Sequence, residues 1–203
     1  MPLQLYDREK ILDACLSIFA RHGYDNTSTA MLAEAAGVSK ALIFHHFKSK
    51  KELYLCLLDR CVEKAKALID MDTLLEYQDF FEAREKLSMM KFEFNKENPV
   101  IYKVLKEAYL TTPDELKAEI EVRSRVFFAE RDKLWERLFE KVPLKEGVDR
   151  GQAFELVMLT LDYFDQKYLA EMTAENELDE AYAQRFIQER NDFLAMIRHG
   201  IEK

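Results

Sequence analysis

Apolar residues recur at helical spacing along most of the chain, and little glycine or proline is available to interrupt them. Only five glycines and four prolines occur in 203 residues, too few for the turns of a many-stranded protein. Apolar side chains three and four residues apart lie on one face of a helix. We therefore predict an all-α protein that is large enough to bury a core.

The breaks in this spacing divide the chain into successive predicted helices. They cover about residues 7–22, 28–36, 41–47, 49–70, 77–95, 99–110, 113–141, 149–172 and 178–201. The strongest start signal is Thr112-Pro113-Asp114-Glu115, in which a hydroxyl cap and a proline precede two acidic side chains. We expect Thr112 to cap the helix that follows it.

Charge is distributed unevenly along the chain. Residues 1–51 carry a net charge of +2, whereas the remainder carries −10 and the whole chain −8. A segment that is less acidic than the rest can approach phosphate, while the acidic remainder stays soluble and repels it. This distribution argues against a protein that coats nucleic acid or anionic membrane along its whole length.

Ala36-Gly37-Val38-Ser39 joins two short predicted helices and has the length of the turn in a helix-turn-helix. Glycine suits the tight turn, Val38 can pack inward, and the second helix is left exposed. Four lysines follow or flank this turn without an intervening acid: Lys40, Lys48, Lys50 and Lys51. Alone, such a run would indicate a solvated surface, but beside this turn it favours DNA binding.

The residues in and around the turn resemble the N-terminal signature of the tetracycline-repressor (TetR) family over about residues 7–58. The motifs that carry the resemblance are Gly23-Tyr24, Thr27-Ser28, Leu32-Ala33, Ala36-Gly37-Val38-Ser39, Phe44-His45-His46-Phe47-Lys48-Ser49-Lys50 and Glu52-Leu53. The resemblance implies a three-helix DNA-binding domain at residues 1–50. It also implies a helical effector-binding and dimerisation domain at residues 51–203.

The resemblance further implies which residues contact DNA. They are the phosphate-contacting Thr27, Ser28 and Lys50, and, on the recognition helix and its cap, Ser39, Lys40, Ala41, Leu42, Phe44, His45 and His46. Leu42 and Phe44 depart from the hydroxyl residue and tyrosine that are common in the family, which puts the operator sequence in doubt. Leu42 could contact a thymine methyl instead. His45 and His46 point in different directions on a helix, so we do not expect them to bind a metal.

Large flexible and aromatic side chains crowd the C-terminal helices. They could form an ordinary core or line a largely apolar effector site. The candidate effector residues are Phe92, Tyr102, Leu105, Tyr109, Phe127, Arg131, Trp135, Met158 and Asp165. Arg131 and Asp165 interrupt apolar stripes, so each needs a partner if it is buried. We expect them to pair with each other or across a dimer, and the alternative is that one of them orients a polar or charged effector.

Apolar residues cover most of the circumference of the predicted helix at 149–172, which indicates a helix covered on two sides. With the last helix it could form a symmetric four-helix interface, as the family uses for its homodimers. The candidate interface residues are Leu156, Leu159, Tyr163, Phe186, Phe193 and Ile197. A homodimer would match a palindromic operator in double-stranded DNA.

These patterns lead to one functional hypothesis and weaken two others. We predict a cytoplasmic repressor that a small, largely apolar effector releases from its operator, without cofactor or metal. No signal peptide and no apolar run of about 18 residues occurs. A ferritin-like enzyme would need Glu-x-x-His motifs, and none of the four histidines follows a glutamate at that spacing. An adaptor that binds only proteins would leave the lysines beside the turn without a role.

Overall fold

The protein is described by a computed structural model over residues 4–68, 73–74, 76–171 and 179–203. Within these ranges the description excludes the side chains of residues 4–7, 44, 68, 126–128, 130 and 169–170.

The described chain is built from helices connected by turns, which confirms the all-α prediction. The helices are α1 (Gln4–His22), α2 (Thr29–Ala36), α3 (Lys40–Phe47), α4 (Lys50–Leu68), α5 (Phe80–Glu97), α6 (Pro99–Leu110), α7 (Lys117–Glu140), α8 (Arg150–Glu171) and α9 (Glu180–Ile201). An isolated β-bridge joins Leu144 to Glu202. In the described ranges, no helix is both long enough and apolar enough to pass through a bilayer.

The predicted helix start at Thr112 is wrong in its detail. The Thr112 hydroxyl donates a hydrogen bond back to the Ala108 carbonyl at 2.5 Å, so it closes the end of α6. A short 3-10 helix, Asp114–Leu116, then precedes α7. The backbone of Pro113 is extended, with a ψ of 137°, which separates the two helices. A threonine hydroxyl can donate to a carbonyl four residues earlier as well as cap a new helix.

The chain divides into two compact units, and each unit is formed by two separate stretches of the sequence. The first unit contains residues 1–68 and 97–125, and the second contains residues 69–96 and 126–203. The helix α7 therefore contributes its first residues to one unit and the rest to the other. The functional boundary between residues 50 and 51 stays a prediction.

In the first unit, α1 packs against α2, α4 and α6, and α4 also packs against α6. Three aromatic side chains lie at the centre of this packing. The rings of Phe19 and Tyr54 meet edge to face with centroids 5.0 Å apart, and Tyr24 meets Tyr54 in the same way at 5.1 Å. All three are almost fully buried. This aromatic cluster joins α1, the turn that follows it and α4.

The Glu107 carboxylate on α6 fixes the turn after α1. Gly23 ends α1 with a φ of +74°, a conformation that favours glycine. The next backbone amide, from Tyr24, donates to Glu107 Oε1 at 2.6 Å. The Tyr54 hydroxyl donates to Glu107 Oε2 at 2.9 Å. One side chain on α6 thus satisfies a backbone donor before α2 and a hydroxyl on α4.

The second unit has its own core, formed by α5, α7, α8 and α9. Trp135 and Phe80 are fully buried at its centre, with ring centroids 6.0 Å apart. The first-turn amide of Gln152 donates to the Asp149 carboxylate at 2.9 Å, and Asp179 caps α9 in a similar way. These caps satisfy amides that have no partner within the helix. Helices α8 and α9 pack against each other.

Glu107→Ala is expected to destabilise the protein by about 1–3 kcal/mol, because it leaves the Tyr24 amide and the Tyr54 hydroxyl without their acceptor. Urea unfolding followed by circular dichroism measures the loss. Glu121→Ala is the matched control, since Glu121 is 71% exposed and forms only a surface pair with Arg125. That variant should lose about 0.5 kcal/mol or less. Equal losses in the two variants would contradict the role of Glu107.

Candidate functional site

The turn between α2 and α3 has the geometry of a helix-turn-helix. Gly37 adopts the left-handed conformation with a φ of 64°, and its amide donates to the Glu34 carbonyl at 3.1 Å. The Val38 amide donates to the Ala33 carbonyl at 3.0 Å. Together these bonds close the end of α2 as a glycine C-cap does. Ser39 begins the next helix, because its hydroxyl accepts a hydrogen bond from the Leu42 amide at 3.2 Å.

The helix α3 has one buried face and one exposed face. Ile43 and Phe47 are buried and anchor the helix against the rest of the first unit. The exposed face carries most of the residues expected to contact DNA: Lys40, Ala41, Leu42, His45 and His46. The side chain of Phe44 lies outside the described residues. This arrangement leaves a short helix with polar and basic side chains directed away from the core.

The two hydroxyl residues before α2 have different roles. Ser28 is exposed and caps α2 by accepting a hydrogen bond from the Met31 amide at 3.2 Å. Thr27 is only 2% exposed, and its hydroxyl donates to the Gly23 carbonyl at 2.6 Å. The Thr27 hydroxyl is thus engaged within the turn, and a phosphate contact by Thr27 stays a prediction.

The four lysines of the cluster are not equivalent. Lys40 and Lys48 are exposed. Lys50 donates to the Tyr24 carbonyl at 2.9 Å and lies 4.0 Å from the centroid of the Tyr24 ring. Lys51 pairs with Glu119 of α7 at 2.5 Å. A phosphate contact by Lys50 stays a prediction, and it would compete with the Tyr24 carbonyl.

His45 and His46 do not form a metal site with their described neighbours. Their ring centroids are 5.3 Å apart and the rings are steeply inclined to each other. In the part of the chain that the structure describes, no group of three potential metal ligands comes together.

The residues proposed to contact an effector are divided between the two units. Tyr102, Leu105 and Tyr109 belong to the first unit, whereas Phe92, Trp135, Arg131, Met158 and Asp165 belong to the second. Trp135 is fully buried, Phe92 is 8% exposed, and Arg131 and Met158 are half-buried. The Phe127 side chain lies outside the described residues. The second unit therefore contains the larger share of this predicted set.

The expected ion pair between Arg131 and Asp165 does not form within the described protomer. Both Nε and a terminal nitrogen of Arg131 donate to the carboxylate of its neighbour Asp132, at 3.0 and 2.7 Å. Asp165 is exposed and forms no ion pair with a described residue. The helical periodicity correctly identified two charged residues on apolar stripes. It did not predict their partners, because a helix wheel does not show that the Asp132 carboxylate can reach the Arg131 guanidinium.

Two buried arginines in the second unit escaped the sequence analysis. Arg84 on α5 is 7% exposed and Arg190 on α9 is 3% exposed. Arg84 lies four residues after Phe80, and Arg190 lies midway between Phe186 and Leu194, so both interrupt buried stripes. The test that singled out Arg131 would have found them as well.

The residues expected at a dimer interface fall into two groups. Leu156, Leu159, Tyr163 and Phe193 are exposed on α8 and α9. Phe186 is 8% exposed and packs within the protomer against Phe164, with ring centroids 5.7 Å apart, and its place at an interface stays a prediction. Ile197 is partly buried against the same core. Met196, which the sequence analysis did not select, is 62% exposed beside the first group.

Residues 11–57 match a family model described as bacterial regulatory proteins, tetR family, which confirms the resemblance found in the sequence. The HTH-type transcriptional repressor AcnR of Corynebacterium glutamicum is 35% identical over 69 residues. That match covers 34% of this chain and 37% of AcnR, so it spans little more than a third of the curated relative.

Solved structures resemble the chain over most of its length. MexZ, a repressor responsible for antibiotic resistance in Pseudomonas aeruginosa, has a TM-score of 0.68 and 21% identity, covering 95% of this chain and 94% of MexZ. A TetR-like transcriptional regulator from Rhodococcus sp. RHA1 has a TM-score of 0.65 and 19% identity, covering 93% and 96%. At these identities the likeness shows a shared fold.

Lys40→Ala is expected to weaken binding to double-stranded DNA and to make the slope of log affinity against log salt shallower, because it removes one positive charge from the exposed face of α3. Fluorescence anisotropy at several salt concentrations measures the slope. Lys64→Ala serves as the control, since Lys64 is an exposed lysine of α4 away from α3. An unchanged slope for Lys40→Ala would remove this lysine from the DNA interface.

Proposed function

We propose that this chain, whose residues 11–57 match the family model of bacterial regulatory proteins, tetR family, is a sequence-specific DNA-binding transcriptional repressor acting in the cytoplasm. The observation that carries the proposal is the exposed face of α3, held on a helix-turn-helix by the capped turn at Gly37–Ser39. A recognition helix of this kind enters the major groove and contacts base edges. The first-turn amides of α2 and α4 could donate to phosphates of the DNA backbone, as amides at helix N-termini do.

The repressor is proposed to act as a homodimer. Leu156, Leu159, Tyr163, Phe193 and Met196 are large apolar side chains with 44–62% of their surface exposed on α8 and α9. Contiguous exposed apolar surface of this kind marks protein interfaces. A two-fold dimer would set its two recognition helices about 34–36 Å apart, which matches successive major grooves of a palindromic operator.

A small, largely apolar effector is proposed to release the repressor from DNA. Binding in the second unit would favour a state whose recognition helices no longer match the operator spacing. Helix α4 carries the change to the DNA-binding helices, and α6 assists because Glu107 holds the turn before α2. The coupling is reciprocal, so operator DNA must weaken effector binding by the same factor.

Selection from a random pool of double-stranded DNA tests the DNA-binding part of this proposal. We expect enrichment of a two-fold-symmetric sequence whose half-sites are about 10 base pairs, one helical turn, apart or a multiple of that distance. Substituting alanine for His45 and His46 together should change the enriched bases while leaving the spacing intact. Enrichment of no sequence, or of an asymmetric one, would contradict a dimeric operator-binding repressor.

Leu159→Glu is expected to convert the dimer to a monomer, because it places a charge at the centre of the exposed apolar face. Specific DNA affinity should fall with it, since the two half-sites can no longer be bound together. Sedimentation velocity measures the oligomeric state and a gel shift measures the affinity. Val122→Glu is a matched control, since Val122 is 64% exposed on α7 and Leu159 is 61% exposed. A folded Leu159→Glu variant that remained dimeric would place the interface elsewhere.

A further inference from the structure

Arg84 and Arg190 occupy positions in the second unit where a core side chain is expected. They lie on different helices, α5 and α9, and are 7% and 3% exposed. Ser88 links them, since its hydroxyl donates to the Arg84 carbonyl at 3.0 Å and accepts from Arg190 at 2.7 Å. Arginine is rarely buried to this depth unless it is paired.

Neither guanidinium forms a hydrogen bond or an ion pair with a carboxylate of the described residues. The Nε atoms of Arg84 and Arg190 are buried without any hydrogen-bond partner. Arg190 donates only to neutral oxygens, those of Ser88 at 2.7 Å and Asn191 at 3.1 Å. Arg84 instead lies over the Trp135 ring, with its Cζ atom 4.5 Å from the centroid. Among the described residues, no acidic side chain forms an ion pair with either arginine.

Other charges nearby do not remove this imbalance. Lys91 follows Arg84 by two turns of α5 and is exposed, so it adds positive rather than negative charge. Burial lowers the pKa of Arg84 to about 10, and the Asp165 carboxylate partly opposes that shift. Arg84 therefore keeps its charge at neutral pH.

Burying a cation without a counterion is costly, and the cost falls only when an anion with good hydrogen-bond geometry is supplied. Guanidinium groups match the planar geometry of carboxylate and phosphate oxygens. Trp135 adds a third donor, because its Nε1 is also buried without an acceptor. Three buried donors, one each on α5, α7 and α9, thus have no acceptor in the described chain.

We propose that Arg84 and Arg190 bind the anionic group of the effector, a carboxylate or a phosphate attached to an apolar body. The effector role rests on the proposed function, whereas the anion site rests on the buried, unpaired guanidinium groups alone. The indole of Trp135 would donate to the same anion and cover one side of the apolar body.

Three probes with the same apolar chain test the site: decanoate, decyl phosphate and decanol. They are added to the full-length protein below the concentration at which they form micelles, at constant ionic strength in chloride. We expect decanoate, decyl phosphate or both to give saturable binding by calorimetry and a concentration-dependent rise in Tm. Decanol should give neither. Equal binding of decanol, or no binding of either anion, would overturn the proposal.

Arg84→Met and Arg190→Met keep much of the packing volume and remove the charge. Each should weaken binding of the anionic probe by about tenfold or more. Without a probe, each variant should melt at the same temperature as the parent or higher, because an unpaired buried charge is removed. Arg185→Met is the control, since Arg185 is exposed on the same helix as Arg190 and should change neither measurement.

A lower Tm for the methionine variants would overturn the proposal, since it would mean that the arginines already have stabilising partners. A gel shift on the selected DNA separates this outcome from failure of the proposed function. A chain that binds the anion but no specific DNA contradicts the repressor and keeps the anion site. A chain that binds DNA, while its Arg84→Met variant binds decanoate as the parent does, contradicts only the anion site.

Discussion

The hydrogen bonds of Glu107 connect the helix-turn-helix to a helix far away in sequence. Its carboxylate accepts from the Tyr24 amide, 83 residues earlier, and from the Tyr54 hydroxyl. Gly23 is required beside it, because a Cβ atom there would lie 2.7 Å from Glu107 Oε1 and φ is +74°. The position of the turn before α2 therefore depends on α6. Any displacement of α6 must move the Tyr24 amide or leave it unsatisfied, which makes this contact suited to transmit a conformational change.

The partners of the basic residues differ between the two units. In the first unit, Lys51 is paired with Glu119 and Lys50 is held at the Tyr24 carbonyl, so the outward charge near α3 comes from fewer lysines than the sequence contains. In the second unit, Arg84 and Arg190 are buried, and the Nε atom of each has no hydrogen-bond partner. An anion that forms hydrogen bonds with these guanidinium groups would stabilise the conformation to which it binds. This is the property that an effector site needs if binding is to shift a conformational equilibrium.

Local patterns predicted the helices well and the roles of hydroxyl groups less well. Gly37 and Ser39 end α2 and begin α3 as expected, because their effects act within one turn of helix. Thr27 was expected to contact phosphate, and Thr112 was expected to cap the helix that follows it. In the structure each hydroxyl donates to a carbonyl four residues earlier, which rules out the cap by Thr112. The backbone conformation decides whether a hydroxyl caps the next helix or donates to a preceding carbonyl, and the neighbouring residues in the sequence do not determine that conformation.

The sequence alone determined the all-α class, the helix-turn-helix and the exposed face of α3, because helical periodicity and capping are properties of consecutive residues. It also indicated that α8 has a second apolar face, on which Leu159 is exposed. Only the tertiary structure decided which partner each charge has. Arg131 pairs with Asp132 rather than Asp165, Phe186 is buried in the protomer, and the Nε atom of Arg84 has no hydrogen-bond partner among the described residues. A helix wheel gives the direction of a side chain, whereas its partner depends on which other helix packs there.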